Sequence, residues 1–243
     1  MISARRVRAE VKGTARTFVR GRFGLYTAFI FPLVLLLLLG SVFGSADIKY
    51  VDYLIPGLVG FSMLSPMFAL VNIASAYKRD KVFKELALTP LTRGEWLLGK
   101  VLWYIMITIP ALILMALVGT SVFGAQVTLS IYLLPFLIVG PFLFVSLGML
   151  IAIATNVESQ GVVTNLVTFP MMFLSGIFYP VSMMPAWAQA VAHVFPLFYI
   201  LDGLNDVMIS GNPGSALVDL VVTLVIALVF FGLAVRLFKW RED

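Results

Sequence analysis

The sequence predicts an all-α polytopic membrane protein with six transmembrane helices. Of its 243 residues, 61% are hydrophobic and 12% are charged, and the mean hydropathy is +1.03. Soluble domains average about 45–50% apolar and about 25% charged residues, so this chain has too few polar residues to cover a soluble globule. Its long uncharged runs suit a hydrocarbon core about 30 Å thick, which takes roughly 20 helical residues to cross. Residues 1–243 are interpreted as a single transmembrane domain.

The six spans follow from uncharged runs that are separated by polar segments. Residues 101–157 carry no charge, but this run is too long for one helix and divides at the Gly- and Ser-containing segment 124–130. Gly40 and Gly44 form a Gly-x-x-x-Gly spacing that permits close helix packing, within the chain or between two copies. The predicted spans are 25–44, 53–77, 97–123, 131–155, 161–179 and 217–238.

The distribution of basic residues predicts the orientation of these spans. Sixteen of the 17 Lys and Arg residues lie in the N-terminal segment, the connection between spans two and three, and the C-terminal tail, which leaves Lys49 on the opposite side. Cytoplasmic loops are enriched in Lys and Arg, so both termini are expected to lie in the cytoplasm. The protein itself is expected in the inner or plasma membrane of the cell. The bases therefore indicate anionic lipid and membrane orientation, with no nucleic-acid partner.

Residues 1–24 have helical spacing. Val7, Val11 and Phe18 lie near one face and Arg8 and Lys12 lie on another, which predicts an amphipathic helix in the headgroup layer. A solvated basic tail is the alternative interpretation.

Segment 180–215, between spans five and six, contains short apolar stretches bracketed by Pro180, Pro185 and Pro196. Each stretch is nearer a dozen residues than twenty, which is too short to cross the bilayer. We therefore predict a short external helical hairpin, either re-entrant or interfacial.

Several classes of chemistry are excluded. The chain has no cysteine and one histidine, His193, so thiolate nucleophiles, disulfides and multi-histidine metal sites are absent. Segment 94–100 fits the Gly-x-x-x-x-Gly-Lys part of a phosphate loop, but Val101 replaces the Ser or Thr that ligates magnesium. Asp219, at the predicted external start of span six, is the only carboxylate close to a span interior, which argues against an ion-driven pump. We expect a non-catalytic chain that binds no cofactor and no metal.

The connection 78–95 is the most informative polar segment. Phe83, Leu86 and Ala87 have helical spacing, charges flank them, and Pro90 ends the helix. A short amphipathic helix of this kind lies on lipid or inserts its apolar face into a partner's groove, and the spacing fits both.

Two stretches carry a family resemblance. The first is Glu-Leu-Ala-Leu-Thr-Pro-Leu-Thr-Arg at 85–93 with Leu-Gly-Lys at 98–100. The second combines Phe-Leu-Ser-Gly-Ile-Phe-Tyr-Pro at 173–180, Met-Pro-Ala-Trp at 184–187, Phe-Pro-Leu at 195–197 and Leu-Asp-Gly-Leu at 201–204. The chain resembles the membrane permease subunits of type-2 ABC exporters, which include drug-resistance and polysaccharide or nodulation-factor export proteins. The first stretch is similar to the family's coupling helix, and the second is similar to the region around its external hairpin.

The resemblance implies a permease dimer, homo- or heterodimeric, that pairs with two separate ATPase subunits holding ATP and magnesium. It implies export of an amphipathic, drug-like, lipid or glycan substrate. The expected ATPase-coupling residues are Lys81, Phe83, Lys84, Glu85, Leu86, Thr89 and Pro90. The expected external gate consists of Ser175, Gly176, Phe178, Pro180 and Pro196. The competing class is a self-sufficient channel or membrane-embedded enzyme, which would need a polar pore ring or convergent titratable groups.

Overall fold

The computed structural model describes residues 3–21, 26–44 and 48–238, without the side chains of Thr27, Ile48 and Lys49. These residues form helices and connections without a β-strand, which confirms the predicted all-α class. The α-helices are α1 (Ala4–Arg20), α2 (Phe31–Phe43), α3 (Ile48–Ser62), α4 (Ser65–Arg79), α5 (Val82–Leu86), α6 (Arg93–Phe123), α7 (Leu134–Ala154), α8 (Gln160–Leu174), α9 (Ala186–Ala192), α10 (Pro196–Asn205) and α11 (Pro213–Leu237). Parts of the predicted interfacial helix (1–2 and 22–24), residue 25 of span one, and the basic tail residues Lys239 and Arg241 lie outside the described residues.

Within the residues that the structure describes, four helical segments are apolar and long enough to cross a membrane, which confirms a multi-pass membrane protein. They are Tyr50–Arg79, Arg93–Phe123, Ile131–Ala154 and Pro213–Leu237. They overlap predicted spans two, three, four and six. Spans one and five contain the shorter apolar helices Ala28–Phe43 and Gln160–Leu174, so the count of six spans stays a prediction.

The short length of α8 has a local cause. Its 15 residues extend about 22 Å, less than the thickness of the hydrocarbon core. The helix ends at Leu174, and two residues later Gly176 has φ +92°, a backbone conformation that favours glycine and cannot continue a right-handed helix. The predicted span 161–179 therefore contains a helix that stops five residues early.

Span two is divided into α3 and α4 near Met63 and Leu64. Pro66 lies in the first turn of α4, where its missing N–H cannot donate to the Ser62 carbonyl and so cannot join the two helices into one hydrogen-bonded ladder. The polypeptide nevertheless continues in one direction as a hydrophobic segment of 30 residues.

Helix α7 lies at the centre of the bundle and packs against α4, α6 and α11. Leu143 and Phe144 of α7 are completely buried in a core with Leu54 and Met63. Gly148 brings α7 against α4, because a Cβ there would lie 2.7 Å from the Met67 carbonyl oxygen. The close approach places two membrane-length segments in direct backbone contact.

The bundle has two chemically distinct ends. One end, here called the basic end, carries α1, the α4–α6 connection and the C-terminus of α7, where Lys78 Nζ donates to the Ala152 carbonyl at 3.0 Å. At the other end, called the acidic end, Asp52 accepts from the Gln126 N–H at 2.7 Å and Thr128 N–H donates to the Met208 carbonyl at 2.9 Å. The acidic end carries Asp52, Asp202, Asp206 and Asp219.

Segment 180–215 lies at the acidic end and contains α9 and α10, of 7 and 10 residues. Neither helix is long enough to cross a bilayer. Its position outside the cell and its depth in the membrane stay predictions.

Candidate functional site

The α4–α6 connection begins with a sharp reversal of the chain at Lys81. Its φ of +58° places it in the left-handed region, which residues with a Cβ, apart from Asn and Asp, occupy at a cost of roughly 1–2 kcal/mol. The reversal folds α5 back beneath α4 and α6. A conformation of this kind persists only where the surrounding packing holds it in place.

Phe83 of α5 supplies that packing. Its ring is 6% exposed and lies in an aromatic cluster with centroids 5.4 Å from Tyr77, 5.8 Å from Trp96 and 5.0 Å from Phe238. The ring packs mainly against its own chain and also borders a cavity of 220 Å³, so the expectation that Phe83 contacts a partner stays a prediction. Leu86, the second expected apolar contact, is half-buried.

The remaining coupling residues are at the surface. Lys81, Lys84, Glu85, Thr89 and Pro90 are exposed. The most prominent apolar side chain here is Leu88, which is 79% exposed and is not among the residues predicted from the sequence. Helical spacing from Phe83 does not predict this exposure, because α5 ends at Leu86 and the chain then turns, with Thr89 Oγ1 donating to the Leu86 carbonyl at 2.7 Å.

A buried carboxylate connects this surface segment to α1 and α6. Thr92 and Glu95 form a capping box at the start of α6: Glu95 N–H donates to Thr92 Oγ1 at 3.3 Å, and Thr92 N–H donates to Glu95 Oε2 at 2.9 Å. Glu95 Oε1 also accepts from the Ser3 N–H at 2.6 Å and pairs with Arg6 Nη2 at 2.8 Å. Arg6 donates in turn to the Pro90 carbonyl.

A second ion pair fixes α1 along α6. Lys100 is almost completely buried, with Nζ 2.8 Å from Glu10 Oε1 and 3.0 Å from Thr14 Oγ1. A Cβ on Gly99 would lie 2.5 Å from Glu10 Cγ, so glycine permits the close approach of the two helices. Segment 94–100, which has the spacing of a phosphate loop, is therefore helical, and its lysine is engaged by α1.

The predicted gate residues are only partly brought together. Ser175 and Pro180 line a cleft of 440 Å³ at the acidic end, and Gly176 lies beside it, accepting from the Tyr53 hydroxyl through its carbonyl. Phe178 lines a separate apolar groove of 520 Å³ with Leu35, Leu39, Phe43, Tyr50, Phe173 and Tyr179. Pro196 is buried in the first turn of α10 and lines neither space.

The cleft at the acidic end also contains the titratable residues Asp202, Asp206 and His193, none of which was predicted from the sequence to form a site. Asp202 and Asp206 lie one helical turn apart, a spacing that was visible in the sequence as a possible pair on one helix face. Burial, and then the Asp206 charge, raise the pKa of the Asp202 carboxyl, and His193 opposes the shift. His193 Nδ1 lies 2.7 Å from the Gln189 carbonyl oxygen, and its ring centroid is 4.4 Å from that of Phe198.

The Gly-x-x-x-Gly residues of span one pack inside the chain. A Cβ on Gly40 would lie 2.8 Å from the Phe123 ring of α6, and one on Gly44 would lie 2.8 Å from Val51 Cγ2 of α3. Both glycines therefore allow α2 to approach its neighbours closely.

Comparison with known proteins identifies one family. Residues 5–209 match the family described as ABC-2 type transporter. Nodulation protein J of Sinorhizobium fredii is 30% identical over 84% of this chain and 79% of its own length. The probable multidrug ABC transporter permease YbhS of Escherichia coli is 30% identical over 79% of this chain and 52% of its own length. This chain therefore spans about half the length of YbhS, and the resemblance read from the sequence is confirmed.

Proposed function

This chain belongs to the ABC-2 type transporter family and is the transmembrane subunit of an ABC transporter, and we propose that it works as an exporter driven by separate ATPase subunits. Two copies, or one copy and a related permease, would form the pathway across the cell membrane. Two ATPase subunits would bind ATP and magnesium at the basic end, which would face the cytoplasm together with both termini.

One observation carries the coupling proposal: the most exposed part of the α4–α6 connection is joined to α1 and α6 through a buried carboxylate. Leu88 and Pro90 are exposed, Arg6 binds the Pro90 carbonyl, and Glu95 binds Arg6. A partner that displaces this surface therefore displaces α1 and the start of α6 with it. In this proposal ATP-driven closure of the ATPase pair moves the connection and switches the pathway from inward-open to outward-open.

The partner contact is proposed to involve Leu88, with Lys81, Lys84 and Glu85 forming charged contacts around it. An apolar anchor surrounded by charged groups is a common arrangement in protein interfaces, where the charges fix the orientation of the partner. Thr89 and Pro90 continue the same surface. Phe83 contributes from inside the chain, because its packing holds α5 in position.

A dimer of permease subunits is supported by the exposed side of α8. Val162, Leu166, Phe169 and Phe173 are 69%, 71%, 54% and 48% exposed and follow one another at helical spacing. Because α8 is shorter than the hydrocarbon core, packing against a second subunit accommodates it better than lipid does. The apolar groove beside Phe178 continues this surface.

An amphipathic cargo is proposed from the apolar spans and the mixed character of the cleft. The name of the E. coli relative refers to multidrug transport. Drug-like molecules, lipids and glycan-linked lipids all combine apolar and polar parts that match such a pathway. The channel and enzyme alternatives lack a specific observation in their favour.

Co-purification tests the coupling proposal. The tagged full-length chain is co-expressed with each ABC ATPase subunit of its source organism, and the retained ATPase is quantified. We expect the unsubstituted chain to retain one ATPase and Leu88→Asp to lose most of it. Leu129→Asp is the matched control, because Leu129 is 54% exposed in the loop at the opposite end of α6. Failure of the unsubstituted chain to retain any ATPase, or equal retention by Leu88→Asp, would contradict the proposal.

A further inference from the structure

The cleft at the acidic end combines apolar walls with an acidic edge. Its walls are formed by α3, α9, α10 and the segment that directly follows α8. Its volume is 440 Å³. Tyr53, Phe198 and Leu201 supply apolar wall surface, and Asp202 and Asp206 supply two carboxylates. This composition suits a ligand with an apolar body and a cationic group.

Two buried polar atoms of residues that line this cleft have no hydrogen-bond partner among the described residues. They are Ser175 Oγ and Asn205 Oδ1, and the Ser175 residue is only 1% exposed. Both residues line the cleft. Buried polar atoms in proteins are nearly always hydrogen-bonded, so an unpaired pair at the edge of a cavity indicates a group that binds there. Asn205 Oδ1 can only accept a hydrogen bond, and Ser175 Oγ can accept one as well as donate one, so a ligand with N–H donors can satisfy both atoms.

Within the described part of the chain neither carboxylate forms a salt bridge, although His193 lines the same cleft and interacts with the Asp202 charge. The ion pairs there are Arg6–Glu95, Arg79–Asp80 and Lys100–Glu10, none of which involves Asp202 or Asp206. Asp219 lies at the same end, so the carboxylates of Asp202, Asp206 and Asp219 outnumber the single base expected on this side, Lys49, and the local field attracts cations.

An organic cation fits these groups better than a metal ion. Within the described residues, no three His, Asp or Glu side chains group closely enough to hold a metal. The aromatic and aliphatic walls would leave a hydrated metal ion without ligands on those sides, whereas they pack against an apolar body. A Tyr or Phe ring also attracts an ammonium or guanidinium group through its π face.

We propose that this cleft binds amphiphilic organic cations through a primary ammonium or guanidinium group. The cationic group contacts Asp202 and Asp206 and donates hydrogen bonds to Ser175 Oγ and Asn205 Oδ1. The apolar body lies against Phe198 and Leu201. The inference deepens the proposed export function, because it names the class of compound that occupies the acidic end of the pathway.

The experiment uses the full-length chain in lipid nanodiscs without ATPase or ATP. Monodansylcadaverine, which joins a primary ammonium to an aromatic fluorophore, is titrated and its fluorescence anisotropy is recorded. We expect saturable binding, and binding at least tenfold weaker for the neutral N-acetyl derivative. Because no ATPase is present, a negative result leaves the exporter proposal standing, and loss of ATPase association leaves this one standing.

Variants locate the site. Asp202→Asn with Asp206→Asn keeps the side-chain shape and removes both charges, and we expect at least tenfold weaker binding. Asp52→Asn removes one charge from the same end outside the cleft and should stay within twofold of the unsubstituted chain. Ser175→Ala should weaken binding of the primary ammonium about tenfold and leave binding of the N,N,N-trimethyl derivative unchanged, because the quaternary ammonium of that derivative has no N–H donor.

A competition measurement on the unsubstituted chain keeps the proposal testable if a variant does not fold. Phenethylamine should displace the probe, and phenethyl alcohol, its neutral counterpart, should not. Equal displacement by the two compounds, or full binding by the double Asn variant, would overturn the proposal. Displacement by millimolar calcium but not by sodium would assign the cleft to a metal ion and would overturn it as well.

Discussion

Arg6 and Glu95 form an ion pair across 89 residues of sequence, with Arg6 Nη2 2.8 Å from Glu95 Oε1. The carboxylate is completely buried and also accepts hydrogen bonds from the Ser3 and Thr92 N–H groups. Glu95 therefore supplies the partner for three groups: the Ser3 N–H at the start of α1, the Thr92 N–H at the cap of α6, and the Arg6 guanidinium that also binds the Pro90 carbonyl. The N-terminal helix is thereby connected to both the α4–α6 connection and the start of α6.

We predict that Glu95→Ala strongly destabilises the protein. It leaves the Arg6 guanidinium without its carboxylate and deprives the Ser3 and Thr92 N–H groups of an acceptor in a buried place. The midpoint of thermal unfolding in detergent, followed by loss of the monodisperse size-exclusion peak, should fall by several degrees. Glu95→Gln should fall less, because a glutamine oxygen still completes the capping box.

Glu85→Ala is the control for this prediction. Glu85 lies ten residues earlier on the exposed side of α5, so its removal should leave the midpoint unchanged. Equal losses for Glu85→Ala and Glu95→Ala would show that the buried network has no special role.

The same region shows how far sequence reasoning reaches. The pattern Thr92-x-x-Glu95 is typical of a helix start and is legible in the sequence. The partnership with Arg6 is not, because nothing in local spacing relates residues 89 positions apart. Likewise, the spacing of Phe83 and Leu86 predicted a helix, but a helix of five residues has too few positions to show which face turns inward.

A second prediction separates the buried side of α5 from its exposed side. Phe83→Ala opens a cavity among Tyr77, Trp96 and Phe238 and should cost roughly 3–5 kcal/mol of stability. Leu88→Ala removes an exposed side chain and should change stability by less than about 0.5 kcal/mol. The measurement is the thermal midpoint of each purified variant.

An assay of transport tests the exposed side of this segment. Leu88→Ala, although stable, should lower ATPase-dependent export of a fluorescent amphiphile in vesicles. Full export by Leu88→Ala would show that this residue does not contact the ATPase, and a stable Phe83→Ala protein would show that the aromatic cluster does not hold α5.

The class of membrane protein was predictable from the sequence, because the hydrophobic composition and the length of the uncharged runs determine which segments are stable inside a bilayer. The length of α8 was not, because its end depends on the backbone conformation at Gly176, which a Ser-Gly pair permits but does not require. The acidic cleft was missed for a related reason: Asp202 and Asp206 are separated in sequence from Ser175, and only the fold brings their side chains to one space.

A third prediction concerns Gly57 of α3. A Cβ at this position would overlap the Ile177 carbonyl oxygen, a backbone atom that moves only if the chain beside the cleft moves. Gly57→Ala should therefore cost about 1–3 kcal/mol and weaken the packing of α3 against the chain after α8. Gly232→Ala is the control, since nothing lies within 4 Å of a Cβ there and alanine favours a helix by roughly 0.5–1 kcal/mol. Equal midpoints for the two variants would contradict the close approach.

The last prediction concerns the orientation of α6, whose 31 residues separate the exposed sites Lys84 and Leu129. The sequence contains no cysteine, so Lys84→Cys and Leu129→Cys each introduce a single reactive thiol. A membrane-impermeant maleimide should label only Leu129→Cys in intact spheroplasts and only Lys84→Cys in inside-out vesicles, because basic segments remain in the cytoplasm. Labelling of both sites from the same side would show that α6 does not cross the membrane. Labelling in the reverse pattern would keep α6 as a span but place the basic end outside, where no ATPase could reach it.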